Sequence, residues 1–286
     1  MLQQVSIAGL NITKATKAEV LSEIGARLEK GEQTLVVTPY SEFLYTSLTS
    51  GDTLKLLNSF NIAIPDGVGI LWASTYLACP LTVRTKAFRF LQAVWQMVYT
   101  GANILLNPQS IYKGIPEKIP GSEFFWDLAE LASKRELSIF LAGGFGRVPE
   151  VVADKLKEKL PTLRIVGVSN KSASDATLLA DIKQTQPDMV FVAFGPITQE
   201  RWIAQHSRDL SSVKLFIGLG GTFNYVAGTK RTPPKFVRRV GLEWLFRLLT
   251  EPVRFKRIYN ATIGFITELV KYKLKYNSSV IARSDS

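Results

Sequence analysis

The chain predicts an α/β fold: a mainly parallel β-sheet flanked by helices, with a basic helical appendage at its C-terminal end. Three observations carry that expectation. Short apolar runs of β type alternate with helix-length segments, the order that gives parallel strands joined by crossover helices. Glycines and polar residues gather where those runs end, and an open parallel sheet binds its ligands at that edge. After Gly228 the alternation stops and long basic helical patterns take over.

The first strand is expected over residues 34–38, and its end carries Thr38, Tyr40 and Glu42. The second, residues 61–64, breaks at Pro65, Asp66 and Gly67 before a helical pattern that starts at Gly69. This puts a carboxylate at the ligand-binding edge beside glycines that let a substrate approach the backbone, which makes Asp66 a candidate catalytic base. The same three residues also favour an ordinary turn for local reasons. From residue 87 to 106, Arg89, Gln92, Gln96, Thr100 and Asn103 recur at helical spacing as one polar stripe, while Phe90, Leu91, Val94, Trp95, Val98 and Leu105 fill the rest. That pattern reads as an amphipathic helix, not a membrane span.

A strand over 137–141 runs into Gly143, Gly144 and Gly146 ahead of a helical pattern at 148–160. Backbone amides and a helix N-terminus there suit a diphosphate. The turn lacks the third glycine and the lysine of known nucleotide-binding loops, so a plain βα turn stands beside that reading. Strands over 164–168, 188–193 and 214–218 complete the sheet, and the last two lead into loops bearing Gln199 and Glu200, then Gly220, Gly221 and Asn224. Converging at one edge, these loops would form a single pocket. Residues 1–228 are thus expected to make a Rossmann-like core and 229–286 the appendage, with Pro233 and Pro234 at the join.

With 286 residues, 46% of them hydrophobic, the chain can bury a sizeable core. A single cysteine, Cys79, excludes an intramolecular disulfide and any Cys-rich zinc site, which suits a reducing compartment. The single histidine, His206, would have to carry any Ser-His-Asp triad or histidine metal centre alone, and it is expected to be structural. The first residues lack a basic segment followed by an apolar one, so a cytoplasmic location is expected. Of the net charge of +11, nine units come from residues 229–286, where thirteen Lys and Arg face four acids. Such a patch implies an anionic partner: phospholipid headgroups, a diphosphate or nucleic acid.

Six stretches occur in a known order: Val36-Val-Thr38-Pro-Tyr-Ser-Glu42, Pro65-Asp-Gly-Val-Gly-Ile70, Leu141-Ala-Gly-Gly144, Gly195-Pro-Ile-Thr-Gln-Glu-Arg-Trp202, Gly218-Leu-Gly-Gly-Thr-Phe223 and Gly241-Leu-Glu-Trp-Leu-Phe-Arg247. With them the chain resembles the WecG/TagA/CpsF glycosyltransferases over nearly its whole length. The resemblance implies inverting transfer of a sugar, typically N-acetylmannosamine, from a UDP-sugar donor to a sugar on a polyprenyl diphosphate, in cell-surface polysaccharide or teichoic acid synthesis at the cytoplasmic membrane face. It implies Asp66 as the catalytic aspartate, Thr38 as its neighbouring threonine, and Gln199 with Glu200, Gly143 and Gly144 as substrate-binding positions. Arg247, Arg254 and Arg257 match arginines that the family is thought to bring over the active site, where positive charge stabilises a diphosphate. Each also fits a solvated helix face.

The chain departs from the family at several points. Tyr40 stands where asparagine is usual, and a phenol cannot present both a carbonyl and an amide. Lys118 replaces an arginine and loses its bidentate fork, and Asn224 replaces a frequent aspartate. Residues 84–115 look inserted; they form either a membrane-contacting or acceptor-covering element or a helix packed on the core. No Asp-x-Asp motif lies at a strand end, so no metal or other cofactor is expected. Aromatic and aliphatic residues in the basic tail, Phe255, Tyr259, Ile263 and Phe265 among them, point to peripheral binding at an anionic membrane surface. No nucleic-acid partner is expected. A homo-oligomer remains open, and so does a binding-only or donor-altered relative with weak or no transferase activity.

Overall fold

A computed structural model describes residues 2–230, 234, 237, 243–250 and 255–284, with the backbone alone for 243–245, 247 and 277–284. It opens on an element absent from the reading above. β1 (Gln4–Ile7) and β2 (Leu10–Thr13) form an antiparallel hairpin in which Gln4 pairs with Thr13 and Ile7 with Leu10. Its two-residue turn holds Ala8 at φ 51° and Gly9 at φ 88°, the left-handed pair that a tight hairpin requires.

The main sheet has six strands: β3 (Thr34–Val37), β4 (Ile62–Ala63), β5 (Ser138–Gly143), β6 (Arg164–Ser169), β7 (Met189–Ala193) and β8 (Leu215–Gly218). All pairs are parallel, in the order β4-β3-β8-β7-β5-β6, so the fold is Rossmann-like. At the β4 edge the hairpin closes the ladder, with the Ala63 amide donating to Thr13 Oγ1 at 3.0 Å.

The helices of the core are α1 (Lys17–Glu29), α2 (Ser41–Thr49), α3 (Gly51–Asn58), α4 (Val68–Ala78), α5 (Lys86–Leu106), α6 (Gly121–Lys134), α7 (Val148–Lys159), α8 (Ala176–Thr185), α9 (Thr198–His206) and α10 (Thr222–Ala227). They cover both faces of the sheet. Met189 and Phe191 of β7 pack toward α1, α6, α7 and α10, while Val190 and Val192 pack toward α2, α3, α4, α8 and α9. Burial on both sides is why each strand reads as an unbroken apolar run. The ring of Phe125 in α6 lies 5.6 Å from Phe191 and 6.2 Å from Phe223 of α10. Each such buried side chain contributes about 1.5–3 kcal/mol, and together they hold the N-terminal ends of α6 and α10 at the sheet's carboxyl edge.

The C-terminal segment returns to this core. A helix at Phe255–Tyr259 passes through a π turn at Asn260–Gly264 into a long helix, Phe265–Ser284. Phe265 and Leu269 are buried, and the Phe265 ring meets Trp72 of α4 edge-on at 5.8 Å. Lys273 is buried too: its Nζ donates to the Tyr76 carbonyl at 2.5 Å, near the C-terminus of α4, and lies 4.0 Å from that ring's centre. Burial pushes this ammonium down to about 8, and capping of a helix C-terminus offsets part of that cost.

α5 is amphipathic, as its periodicity predicts, and its apolar face is turned outward. Arg89 and Thr100 of the polar stripe are buried, whereas Phe90, Leu91, Trp95, Val98 and Leu105 are exposed. Among the described residues, no helix is long and apolar enough to cross a membrane.

Candidate active site

The carboxyl ends of all six parallel strands open into one cavity of about 1530 Å³. Thr38 and Tyr40 follow β3, Asp66 follows β4, Gly144 follows β5, Asn170 follows β6, Gln199 lies beyond β7, and Gly221 beyond β8. Two further elements complete the wall: Met97, Val98 and Ile104 of α5, and Arg257, Ile258 and Phe265 of the C-terminal segment.

The Asp66 loop is pinned from both sides. The Asp66 amide donates to the Pro39 carbonyl at 2.8 Å, and the Ile119 amide donates to the Pro65 carbonyl at 2.9 Å. Gly67, at φ 123°, turns the chain into α4 through a conformation that L side chains avoid. The carboxylate lies against the start of α6: a Cβ on Gly121 would stand 3.3 Å from Asp66 Oδ2 and 3.7 Å from Thr38 Cγ2. Asp66 and Thr38 are therefore neighbours around one glycine. Thr38 is buried and donates from Oγ1 to the Gly218 carbonyl at 3.2 Å.

Tyr40 turns toward the appendage. Its hydroxyl donates to Glu42 Oε2 at 2.5 Å and accepts from Arg257 Nη2 at 3.0 Å, while Arg257 Nε and Nη2 reach Glu42 at 3.1 and 2.9 Å. Burial, then the Glu42 charge, raises the phenol far above its ordinary range, so Tyr40 stays neutral. Burial disfavours the Arg257 charge, but the hydrogen bonds and charge of Glu42 outweigh it. The link spans 215 positions of sequence, and it gives Tyr40 a task that an asparagine's shorter side chain would meet differently. No sequence pattern marked Glu42 as the partner.

Gln199 and Glu200 brace the floor. Gln199 Oε1 accepts from the Gly220 amide at 2.8 Å, and its Nε2 donates to Glu200 Oε1 at 2.8 Å. Glu200 is fully buried behind Gln199 and does not line the cavity; its Oε2 accepts from the Ile197 amide at 2.6 Å, at the start of α9. Burial lifts its carboxyl to about 7, although the hydrogen bonds it accepts pull the other way. Gly218 has no room for a side chain, since a Cβ would meet Glu200 Oε1 at 2.5 Å.

In the glycine turn, Gly143 and Gly144 sit at φ 91° and 99°. A Cβ on Gly143 would meet the Phe194 ring at 2.6 Å and the Ala193 carbonyl at 2.9 Å. The Gly144 amide is taken by the Ala193 carbonyl at 3.1 Å. Lys118, Gly221 and Asn224 line the cavity, and Asn224 Oδ1 accepts from Thr229 Oγ1 at 3.2 Å. Phe145, which sequence reasoning missed, stands exposed on the rim. Arg254 lies outside the described residues, as does the side chain of Arg247, whose backbone belongs to the helix Glu243–Thr250. His206 closes α9 away from the cavity, packed on Trp202 at 5.1 Å.

Fold and site together define an α/β protein with one large cavity at the carboxyl edge of a parallel sheet, a carboxylate at its floor and an arginine on its wall. The chain belongs to the Glycosyl transferase WecG/TagA/CpsF family, whose model matches residues 5–106 and 88–279. It is 29% identical over 242 residues to the N-acetylglucosaminyldiphosphoundecaprenol N-acetyl-beta-D-mannosaminyltransferase of Bacillus subtilis (strain 168), covering 84% of this chain and 81% of that protein. The enzymes of the same name from Bacillus spizizenii, 26% identical over 86% of this chain and 82% of theirs, and Staphylococcus aureus (strain MRSA252), 24% identical over 95% and 94%, are also similar to it.

Proposed function

We propose that this chain is an inverting glycosyltransferase that moves an N-acetylhexosamine, N-acetylmannosamine first among the candidates, from a UDP-sugar to a polyprenyl-diphosphate-linked sugar in cell-surface polysaccharide or teichoic acid synthesis. The observation that carries this reading is the pairing of Asp66 with Thr38 around Gly121, at the floor of a cavity large enough for two substrates. In the proposed step, Asp66 takes the proton of the acceptor hydroxyl as its oxygen attacks the anomeric carbon. The bond from that carbon to the diphosphate oxygen breaks on the opposite side, and UDP leaves with the electron pair. A positioned base of this kind contributes typically ~10²–10⁴-fold.

The other residues follow from their surroundings. Thr38 orients a sugar from the protein side. Gln199 has one Nε2 hydrogen left for the donor, because its oxygen and other hydrogen are engaged by Gly220 and Glu200. Glu200 acts through Gln199 as a positioning residue. Gly143 and Gly144 shape the turn, Gly221 and Asn224 face the nucleotide, and Lys118 and Arg257, joined by Arg247 and Arg254 of the appendage, meet the diphosphate charge. Tyr40 and Glu42 aim Arg257. Residues 1–228 thus carry the chemistry, and 229–286 cover it and attach the protein to the inner face of an anionic cytoplasmic membrane. Homo-oligomers that shelter the appendage's apolar residues off the membrane belong to the same proposal.

The test is UDP release from a panel of UDP-N-acetylhexosamines, with and without a polyprenyl-diphosphate-GlcNAc analogue. Release that requires the acceptor, with a product of inverted anomeric configuration, is expected. Release by hydrolysis alone, or a retained configuration, would overturn the reading.

A further inference from the structure

α5 turns its apolar face away from the core. Its polar stripe is spent inward: Gln92 Oε1 accepts from the Thr82 amide at 3.0 Å, Gln96 Nε2 donates to the Pro80 carbonyl at 2.8 Å, and Thr100 Oγ1 accepts from Trp72 Nε1 at 3.0 Å. Outward, Phe88, Leu91, Trp95, Val98 and Leu105 run at intervals of three, four, three and seven residues, each more than half exposed. Between Arg89 and Lys113 the chain carries no charge at all, while Lys86, the first residue of the helix, and Lys113, beyond its C-terminal end, stand exposed.

We infer that α5 is a membrane-docking helix, lying in the plane of an anionic bilayer with Phe88, Leu91 and Trp95 among the acyl chains and Lys86 and Lys113 at the headgroups. An uncharged apolar face with basic ends is what an interfacial helix presents, seated about 5–10 Å into the headgroup boundary. Its position in the fold selects a bilayer over a second copy of this chain. Val98 is both exposed and part of the cavity wall, and Ile263 of the C-terminal segment is too. A protein seated on that stripe would cap the mouth, whereas a bilayer sets the mouth at the surface from which a lipid-linked acceptor enters. The stripe also carries no charge to set the register of a helix pair. This assignment of the mouth rests on the transferase reading; the docking itself does not require it.

The experiment is flotation of the full chain with vesicles of phosphatidylglycerol and phosphatidylethanolamine, without sugar substrates, comparing the native protein with Phe88→Ser/Leu91→Ser/Trp95→Ser. Because these side chains point outward, the circular dichroism spectrum and the sedimentation coefficient are expected to stay unchanged while vesicle partitioning falls about tenfold or more. Transfer to a short-chain, water-soluble acceptor should persist. A second reading uses Trp95→Phe, which keeps the apolar surface: brominated lipid should quench the native fluorescence more strongly than that of the variant. Unchanged partitioning in the triple variant, equal quenching in Trp95→Phe, or a dimer that the triple variant dissociates would overturn the inference. Vesicle binding through α5 by a protein that transfers nothing would overturn the transferase reading and leave this one standing.

Discussion

The cavity has two unlike walls. The inner one, built from strand ends, is polar and tightly interlocked: Thr38 is tied to Gly218, Asp66 to Pro39, and Gln199 to Gly220 and Glu200. The outer one, built from α5 and the C-terminal segment, is mainly apolar, with Val98 and Ile263 exposed and Ile258 and Phe265 buried, and one cluster joining Arg257, Glu42 and Tyr40 fastens it to the inner wall. The difference teaches where precision is needed. A buried polar group must keep its partner or lose about 1–3 kcal/mol, so the inner wall holds its polar atoms on fixed partners, whereas the outer wall needs only to present a surface.

The largest effect is expected from one methyl group added just behind the inner wall. Gly143→Ala forces a left-handed residue and a contact against the Ala193 carbonyl, so it should cost about 2–4 kcal/mol, read as a lower denaturant midpoint. An equally mild change on the outer face, such as Leu91→Ala, should leave the midpoint nearly unchanged. If the two behave alike, the contrast between the walls is wrong.

Next comes Glu200. The folded protein holds this proton up to about 7, while the unfolded chain releases it near 4.5. Between those values the folded state binds more protons, so stability falls as pH rises through the window and levels off above about 7. Relative to wild type, Glu200→Gln should remove that decline, worth up to about 3 kcal/mol in all, while its side-chain oxygen can still accept from Ile197. Identical pH profiles of unfolding for the two proteins would show that the carboxylate is charged in the fold. The smallest effect tests the join between the walls. Arg257→Lys keeps the charge but loses the fork to Glu42 and Tyr40, and should cost about tenfold in kcat/KM, or about 1.4 kcal/mol, with a small fall in melting temperature as Glu42 and Tyr40 lose part of their bonding.

The inner wall was largely legible in the sequence, and the outer one only as alternatives: Arg257 over the active site or on a solvated helix face, and residues 84–115 as a covering element or a helix packed on the core. All six strands of the main sheet were expected, although β4 covers only Ile62–Ala63 where residues 61–64 were expected. Asp66, Thr38 and Gln199 share a cavity because strand ends in a parallel sheet converge, a rule that needs no coordinates. The N-terminal hairpin escaped notice because its strands have four residues each and its turn is Ala8-Gly9, without the Asn-Gly or Asp-Gly that announces one. Glu200 could not be told from a ligand contact, since a carboxylate beside Gln199 reads the same whether it faces the cavity or supports the loop from behind. For α5, periodicity defines two faces but not which of them meets the core, so a membrane-contacting element and a helix packed on the core read alike; the hydrogen bonds of Gln92, Gln96 and Thr100 to Thr82, Pro80 and Trp72 turn the polar face inward. The Glu42–Arg257 pair is a tertiary fact that no local pattern encodes.

Asp66 is the proposed base of an acceptor-dependent sugar transfer. Its most direct test is UDP release from UDP-N-acetylmannosamine with a polyprenyl-diphosphate-GlcNAc analogue, measured for the native protein and Asp66→Asn, with UDP affinity determined for both. A loss of ~10²–10⁴-fold in rate at unchanged UDP affinity is the predicted result; undiminished transfer by Asp66→Asn would contradict the account.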